Sequence, residues 1–207
     1  KSLSAPPQDA RGSSVRSPSN FHTRPFSTKS DPHPYFPWLV HVPAYLRQQL
    51  LWQSSTHVPL PSHNGILCLY CGKDDPTSLD SALYSANPTC SESIVAIDKL
   101  RDPAQDMIAM EPYCSLCTAC VKGSFCFIGG GPMCATLSIR RQIYKPNAPR
   151  VIRGRDENTF WGLPHNTPVE QKQCDEHSTL WLRQMYLTCL MYSSATGQCG
   201  SFLEHPG

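Results

Sequence analysis

Cys114-Ser-Leu-Cys117-Thr-Ala-Cys120-Val-Lys-Gly-Ser-Phe-Cys126-Phe-Ile-Gly129-Gly130-Gly131-Pro132-Met133-Cys134 is the densest run of reactive side chains in the chain. A thiol is a metal ligand, half of a disulfide, a nucleophile or a small buried hydrophobe. Which of these applies sets the fold class. Upstream, Cys68-Leu-Tyr-Cys71-Gly72 has the same two-residue gap between cysteines. Two thiolates so spaced can share one tetrahedral ion, and the glycine lets the backbone turn its amides toward the sulfurs. The expected metal site is therefore Cys68 and Cys71, closed by two of Cys114, Cys117 and Cys120, with zinc as the ion. Cys90, Cys126 and the eight histidines are further donors. The long loop between the two groups costs little, because closure entropy grows only logarithmically with length.

Two other chemistries compete. Cys114-x2-Cys117-x2-Cys120 resembles the first three ligands of bacterial-type ferredoxins, which implies an iron–sulfur electron carrier. The fourth ligand departs from that pattern, since Cys126 arrives late and precedes Phe127 rather than proline. Cys189 and Cys199 are spaced as one half of the motif they resemble, that of the twin-cysteine proteins of the mitochondrial intermembrane space. That resemblance implies disulfides, as does the alternative of a secreted or surface disulfide-rich binding protein. The cysteine count is 11, an odd number, so at least one thiol is free, metal-bound or intermolecular. For Cys134, Cys174 and Cys189 the expectation is a buried hydrophobe.

Composition narrows the partners. Charged residues make up 16%, against about 25% in an average globular chain. Net charge is +2. The densest basic group, Arg140, Arg141, Lys145, Arg150, Arg153 and Arg155, is broken by Pro146 and Pro149. It reads as a solvated or partner-facing loop, with an RNA-phosphate contact across Arg140–Arg155 as the alternative. No apolar run is long enough for a membrane helix. Asn87-Pro88-Thr89 is blocked as a glycosylation sequon by its proline, and no other sequon occurs. Residues 1–30 are rich in Ser, Pro and Arg and poor in acids. They read as an extended or disordered arm. Their composition, with Arg24-Pro-Phe-Ser-Thr28, also resembles a mitochondrial transit peptide.

The element pattern places these features. Residues 31–41 alternate proline with aromatics and are expected to be extended, with a short helix opening after Pro43. Asn64-Gly65 is a turn, Ile66–Tyr70 a strand, 72–90 loop, and Ile94–Ile97 a second strand. Asp102-Pro103-Ala-Gln105 is a helix start, and Pro112 is expected to end that helix by Glu111. Gly129-Gly130-Gly131-Pro132 reads as a flexible turn and 137–143 as a strand. Thr167-Pro168-Val169-Glu170 is a capping box opening a C-terminal helix that is apolar on most of its surface.

The fold class expected is α+β: a small irregular cysteine-rich domain with extended Pro-rich arms and a C-terminal helix. Its parts are an arm (1–36), a Pro/aromatic segment with a short helix (37–59), a cysteine-rich core (60–143), a linker (144–166), and a C-terminal helix with its tail (167–207). No GxSxG, HExxH or P-loop occurs. The expected function is thus non-enzymatic. It is that of an accessory or structural subunit of a larger, mitochondrial assembly, holding a structural zinc. Its partners are other protein subunits, met through the N-terminal arm and the C-terminal helix.

Overall fold

The computed structural model describes residues 36–54, 64–133, 135–138, 149–194 and 197–204. Residues 1–35 of the expected arm, residues 139–143 of the strand expected at 137–143, and residues 144–148 of the expected linker lie outside these residues. The helices are α1 (Ala44–Gln48), α2 (Leu79–Ala86), α3 (Met110–Val121) and α4 (Pro168–Ser194), and the strands are β1 (Gly65–Leu69), β2 (Ile94–Ile97), β3 (Phe125–Gly130) and β4 (Gly200–Leu203). The strands form one sheet in the order β2-β1-β3-β4, and every pairing is parallel.

Helices and strands are both present, as expected. Their arrangement differs from a segregated irregular α+β domain, because helix crossovers join strands of a fully parallel sheet. The sequence explains why. Ile66-Leu67-Cys68-Leu69 is an unbroken apolar run, the pattern of a strand covered on both faces, and Leu67 and Cys68 are fully buried. Asn64 opens β1 in the left-handed region at φ 52°, the conformation Asn tolerates best among non-glycine residues.

Connections between parallel strands are right-handed. The chain steps from β1 to β2 in one direction, then from β2 across to β3 and on to β4 in the other. Right-handed crossovers therefore put α2 on one face, and α3 and α4 together on the other. α3 packs on α4 and α2 on β2.

Three corrections to the sequence reading fall between β1 and β3, and a fourth is β3 itself, which takes in Gly129 and Gly130 of the expected turn. α2 lies within the segment expected to be loop. Residues 103–105 form only a 3-10 turn, capped by the Asp102 side chain, which accepts from the Ala104 amide. The helix after it, α3, runs through Pro112 and carries Cys114, Cys117 and Cys120. Proline is tolerated there because an amide in the first turn has no intrahelical acceptor.

α4 begins with the expected capping box. Thr167 N donates to Glu170 Oε2 at 2.8 Å and Glu170 N to Thr167 Oγ1 at 3.3 Å. Leu182, Tyr186, Leu187, Leu190 and Met191 are buried within this chain. The Pro/aromatic segment supplies part of that cover. Residues Pro37–His41 form a 3-10 helix rather than an extended strand. Phe36 stacks on Tyr186 with centroids 4.8 Å apart and planes at 18°. The tail beyond α4 contributes β4.

Candidate functional site

Parallel sheets of this kind bind ligands outside the carboxyl ends of the strands, where neighbouring connections leave in opposite directions. Here that point lies between β1 and β3. The loop after β1 runs toward β2, and the loop after β3 runs toward β4.

The turn after β1 is tightly built. Tyr70 (φ 57°) and Gly72 (φ 75°) are both left-handed and flank Cys71. Tyr70 N donates to Ile97 O at 2.8 Å. Its hydroxyl donates to Leu180 O at 3.0 Å, reaching α4. The Gly72 amide donates to Asp98 Oδ2 at 2.8 Å, and Leu100 N to Asp98 Oδ1 at 2.7 Å. Asp98 directly follows β2, so one carboxylate ties the ends of two adjacent strands.

Arg101 reinforces this tie. Its Nε donates to Gly72 O at 3.0 Å, and its two terminal nitrogens grip Asp80 of α2 at 2.7 and 2.8 Å. The Arg101 guanidinium holds the Asp80 carboxyl below the usual carboxylate range. Asp75 closes the loop with an Asx turn, accepting from Thr77 N at 2.7 Å.

The β3 side of the crevice is glycine. A Cβ on Gly130 would collide with the Leu69 carbonyl, so only glycine lets β1 and β3 lie this close. Gln184, buried on α4, donates through Nε2 to the carbonyls of Gly130 and Phe202 at 3.2 Å each. It thereby holds the ends of β3 and β4 from below. Glu204 N donates to Gly130 O at 3.0 Å. A Cβ on Gly131 would lie 2.9 Å from Glu204 Oε2. The exposed Glu204 carboxylate thus borders the crevice at the end of β4.

The cysteines fall into separate environments. Cys68 is fully buried in β1, and Cys71 is half-buried in the turn. The Cys71 thiol donates to Cys68 O at 3.0 Å. The two side chains are also close enough for their thiols to interact directly. That interaction and burial push Cys68 far up, while the same interaction holds Cys71 below the ordinary thiol value. Cys114, Cys117 and Cys120 occupy the buried face of α3, with Cys117 and Cys120 in the hydrophobic core. Burial pushes both of those thiols up. Among the described residues, no three His, Cys, Asp or Glu side chains gather as a metal would need. Cys174 is buried, as expected, with its thiol donating to Ile152 O at 3.6 Å. Cys189 is half-buried, and Cys134 lies outside the described residues.

The basic segment also divides. Arg140, Arg141 and Lys145 lie outside the described residues, and Arg155 is exposed. Arg150 pairs with Glu170. Arg153 is buried, with Nε donating to Thr136 Oγ1 at 2.9 Å and its terminal nitrogens to Phe160 O, Cys174 O and Ser178 Oγ. It anchors the loop after β3 to α4, facing no solvent from which a phosphate could approach. The described part of the expected linker is therefore packed structure.

Sequence reading missed Asp98, Arg101, Gly130 and Glu204. The available signal was an apolar run ending in an acid (Ile94-Val-Ala-Ile97-Asp98) close after one ending in a glycine turn (Ile66–Gly72). Together they form the strand–turn–strand ends of a βαβ unit. No family model, curated protein or solved structure matches the chain.

Proposed function

We propose that this chain is a nucleoside-cofactor-binding α/β domain, and that its ligand is a phosphate-free, cationic nucleoside of the S-adenosylmethionine class. The observation that carries this reading is Asp98, an acid at the end of β2 that also holds the turn after β1 at the switch point. An acid near this position suits the hydroxyls of a ribose. Each Asp98 oxygen accepts one backbone amide, and a carboxylate oxygen has a second lone pair to offer.

The ligand class follows from charge and backbone. Dinucleotide sites use a three-glycine turn whose amides approach a pyrophosphate. Here the turn after β1 reads Cys71-Gly72-Lys73-Asp74-Asp75-Pro76. It has one glycine, two exposed acids against the single exposed base Lys73, and a proline without an amide hydrogen. Glu204 adds a carboxylate across the crevice, and Arg101 is engaged by Asp80. Such an edge repels phosphates and favours a positive tail. A sulfonium nucleoside supplies both the ribose and the cation, and its chemistry is group transfer, principally of methyl.

Thermal unfolding of the purified chain with S-adenosylhomocysteine, S-adenosylmethionine, ATP and NAD tests this. The adenosyl ligands should raise the melting temperature saturably, with about 2.7 kcal/mol of stabilisation at one hundred times Kd. ATP and NAD should give none. Preference for the phosphate-bearing ligands, or no response to any of the four, overturns the reading.

A further inference from the structure

We propose that Cys68 and Cys71 form a reversible disulfide-forming dithiol, a redox modification site built into the turn after β1. This goes beyond the ligand reading and does not depend on it.

The two thiols differ in access and lie together in one turn, with the Cys71 thiol donating to the Cys68 carbonyl at 3.0 Å. Cys71 stands in the turn, half-buried, between two left-handed residues. Cys68 stands one turn behind it in β1, with no solvent exposure. An external disulfide therefore meets Cys71 first, since its thiol is the partly exposed one of the two. Cys68, shielded by burial, meets only what Cys71 has already captured. That division is what a dithiol switch requires: one accessible thiolate to attack and one shielded thiol to resolve. The remaining buried cysteines do not show it, since Cys117 and Cys120 both lie in the core with thiols pushed up by burial.

With a small disulfide such as oxidised glutathione as oxidant, the steps balance. The Cys71 thiolate attacks one sulfur of glutathione disulfide. A Cys71–glutathione disulfide forms and one glutathione leaves as thiolate. Cys68 then gives its proton to a solvent base, and its sulfur attacks the Cys71 sulfur. The Cys68–Cys71 bond forms and the second glutathione departs. One protein dithiol has been oxidised and one glutathione disulfide reduced to two thiols. The closed ring fixes the turn that presents the Gly72 amide to Asp98.

Tryptic mapping of the full chain tests the proposal directly. Residues 48–73 run from beyond Arg47 to Lys73 and contain Cys68 and Cys71 as their only cysteines. The native, reduced chain is incubated with glutathione disulfide, its remaining thiols are alkylated, and it is digested. The expected wild-type peptide is unalkylated and two hydrogens lighter than the dithiol form, and dithiothreitol restores the dithiol. In Cys68→Ser the glutathione should stay on Cys71, because no resolving thiol remains. A wild-type peptide 48–73 that is alkylated at both cysteines, keeps its glutathione, or is bridged to another peptide overturns the proposal. The wild-type map decides the matter even if Cys68→Ser does not fold.

Discussion

Asp98 accepts the Gly72 amide at 2.8 Å, so the residue that ends β2 shapes the turn that ends β1. The same carboxylate takes the Leu100 amide. Asp98→Ala leaves both amides without their acceptor, at a cost of about 1–3 kcal/mol in urea unfolding. Adenosyl-ligand binding should be lost in the same variant. Asp98→Asn keeps one acceptor oxygen and should recover part of the stability but little of the binding. Full binding by Asp98→Ala would separate the ligand from this carboxylate.

Arg101 and Asp80 meet as a two-pronged pair, with side chains 15% and 3% exposed. Arg101→Ala strands a nearly buried carboxylate and should cost about 3 kcal/mol. The double variant Arg101→Met/Asp80→Leu should regain most of that, because neither charge then remains buried. The pair also makes a pH signature. The folded-state pKa of Asp80 is depressed, chiefly by its hydrogen bond with Arg101. Its contribution is therefore complete above the unfolded carboxylate range and fades as pH falls below about 4. Acid titration of stability should be shallower in Asp80→Asn than in wild type over that window.

β1, β2 and the α4 capping box were legible because each is a local signal: an apolar run, or a cap with its reciprocal hydrogen bond. α3 was hidden by Pro112, since the rule that a proline ends a helix does not distinguish the first turn from the interior. β3 was hidden by its glycines. Gly129 and Gly130 look like a flexible turn until Leu69 is known to lie against them, and that contact spans the fold. Asp98 and Arg101 were missed for the same reason, because their partners Gly72 and Asp80 are distant in sequence. The cysteine spacing drew attention to the turn at Cys71, which the structure places at the end of β1. Their spacing on α3 follows helix periodicity as readily as it does metal ligation.

Gly130→Ala puts a methyl group into the Leu69 carbonyl and must push β1 and β3 apart. It should lower stability by about 3 kcal/mol or prevent folding, as overpacking against backbone does at its severe end. Gly197→Ala serves as a control, because a Cβ there meets nothing within 4 Å. Its unfolding midpoint should match wild type. A tolerated Gly130→Ala would mean the strands can separate without loss.

Zinc held by Cys68, Cys71 and thiols of the 114–120 run, the expectation from cysteine spacing, is the rival of the dithiol reading and has its own measurement. In the structure the first two thiols share a turn, and the other three face the core from α3. On the dithiol reading the expected native mass is metal-free, with a melting temperature that a chelator leaves unchanged. One zinc ion lost together with the fold would instead support a thiolate site and would mask the dithiol chemistry of Cys68 and Cys71.

Arg183 is fully buried on α4, and the hydrogen bonds of its guanidinium go to neutral acceptors. Nε donates to Gln49 O at 3.1 Å, and one terminal nitrogen to Met107 O, Ile108 O and Ala109 O at 2.6 to 2.9 Å. The guanidinium also lies over the Tyr113 ring, 4.3 Å from its centroid. It ties the segment after α1, the approach to α3 and the middle of α4 into one unit. Burial lowers its pKa, yet an arginine keeps its charge at any ordinary pH. Arg183→Met fills much of the space but leaves several carbonyls unpaired, so a loss of about 3–5 kcal/mol is expected. Arg183→Lys should rescue little, because a single ammonium cannot span acceptors on both sides of the guanidinium plane. Wild-type stability in Arg183→Met would mean that water reaches these carbonyls and that the arginine is dispensable.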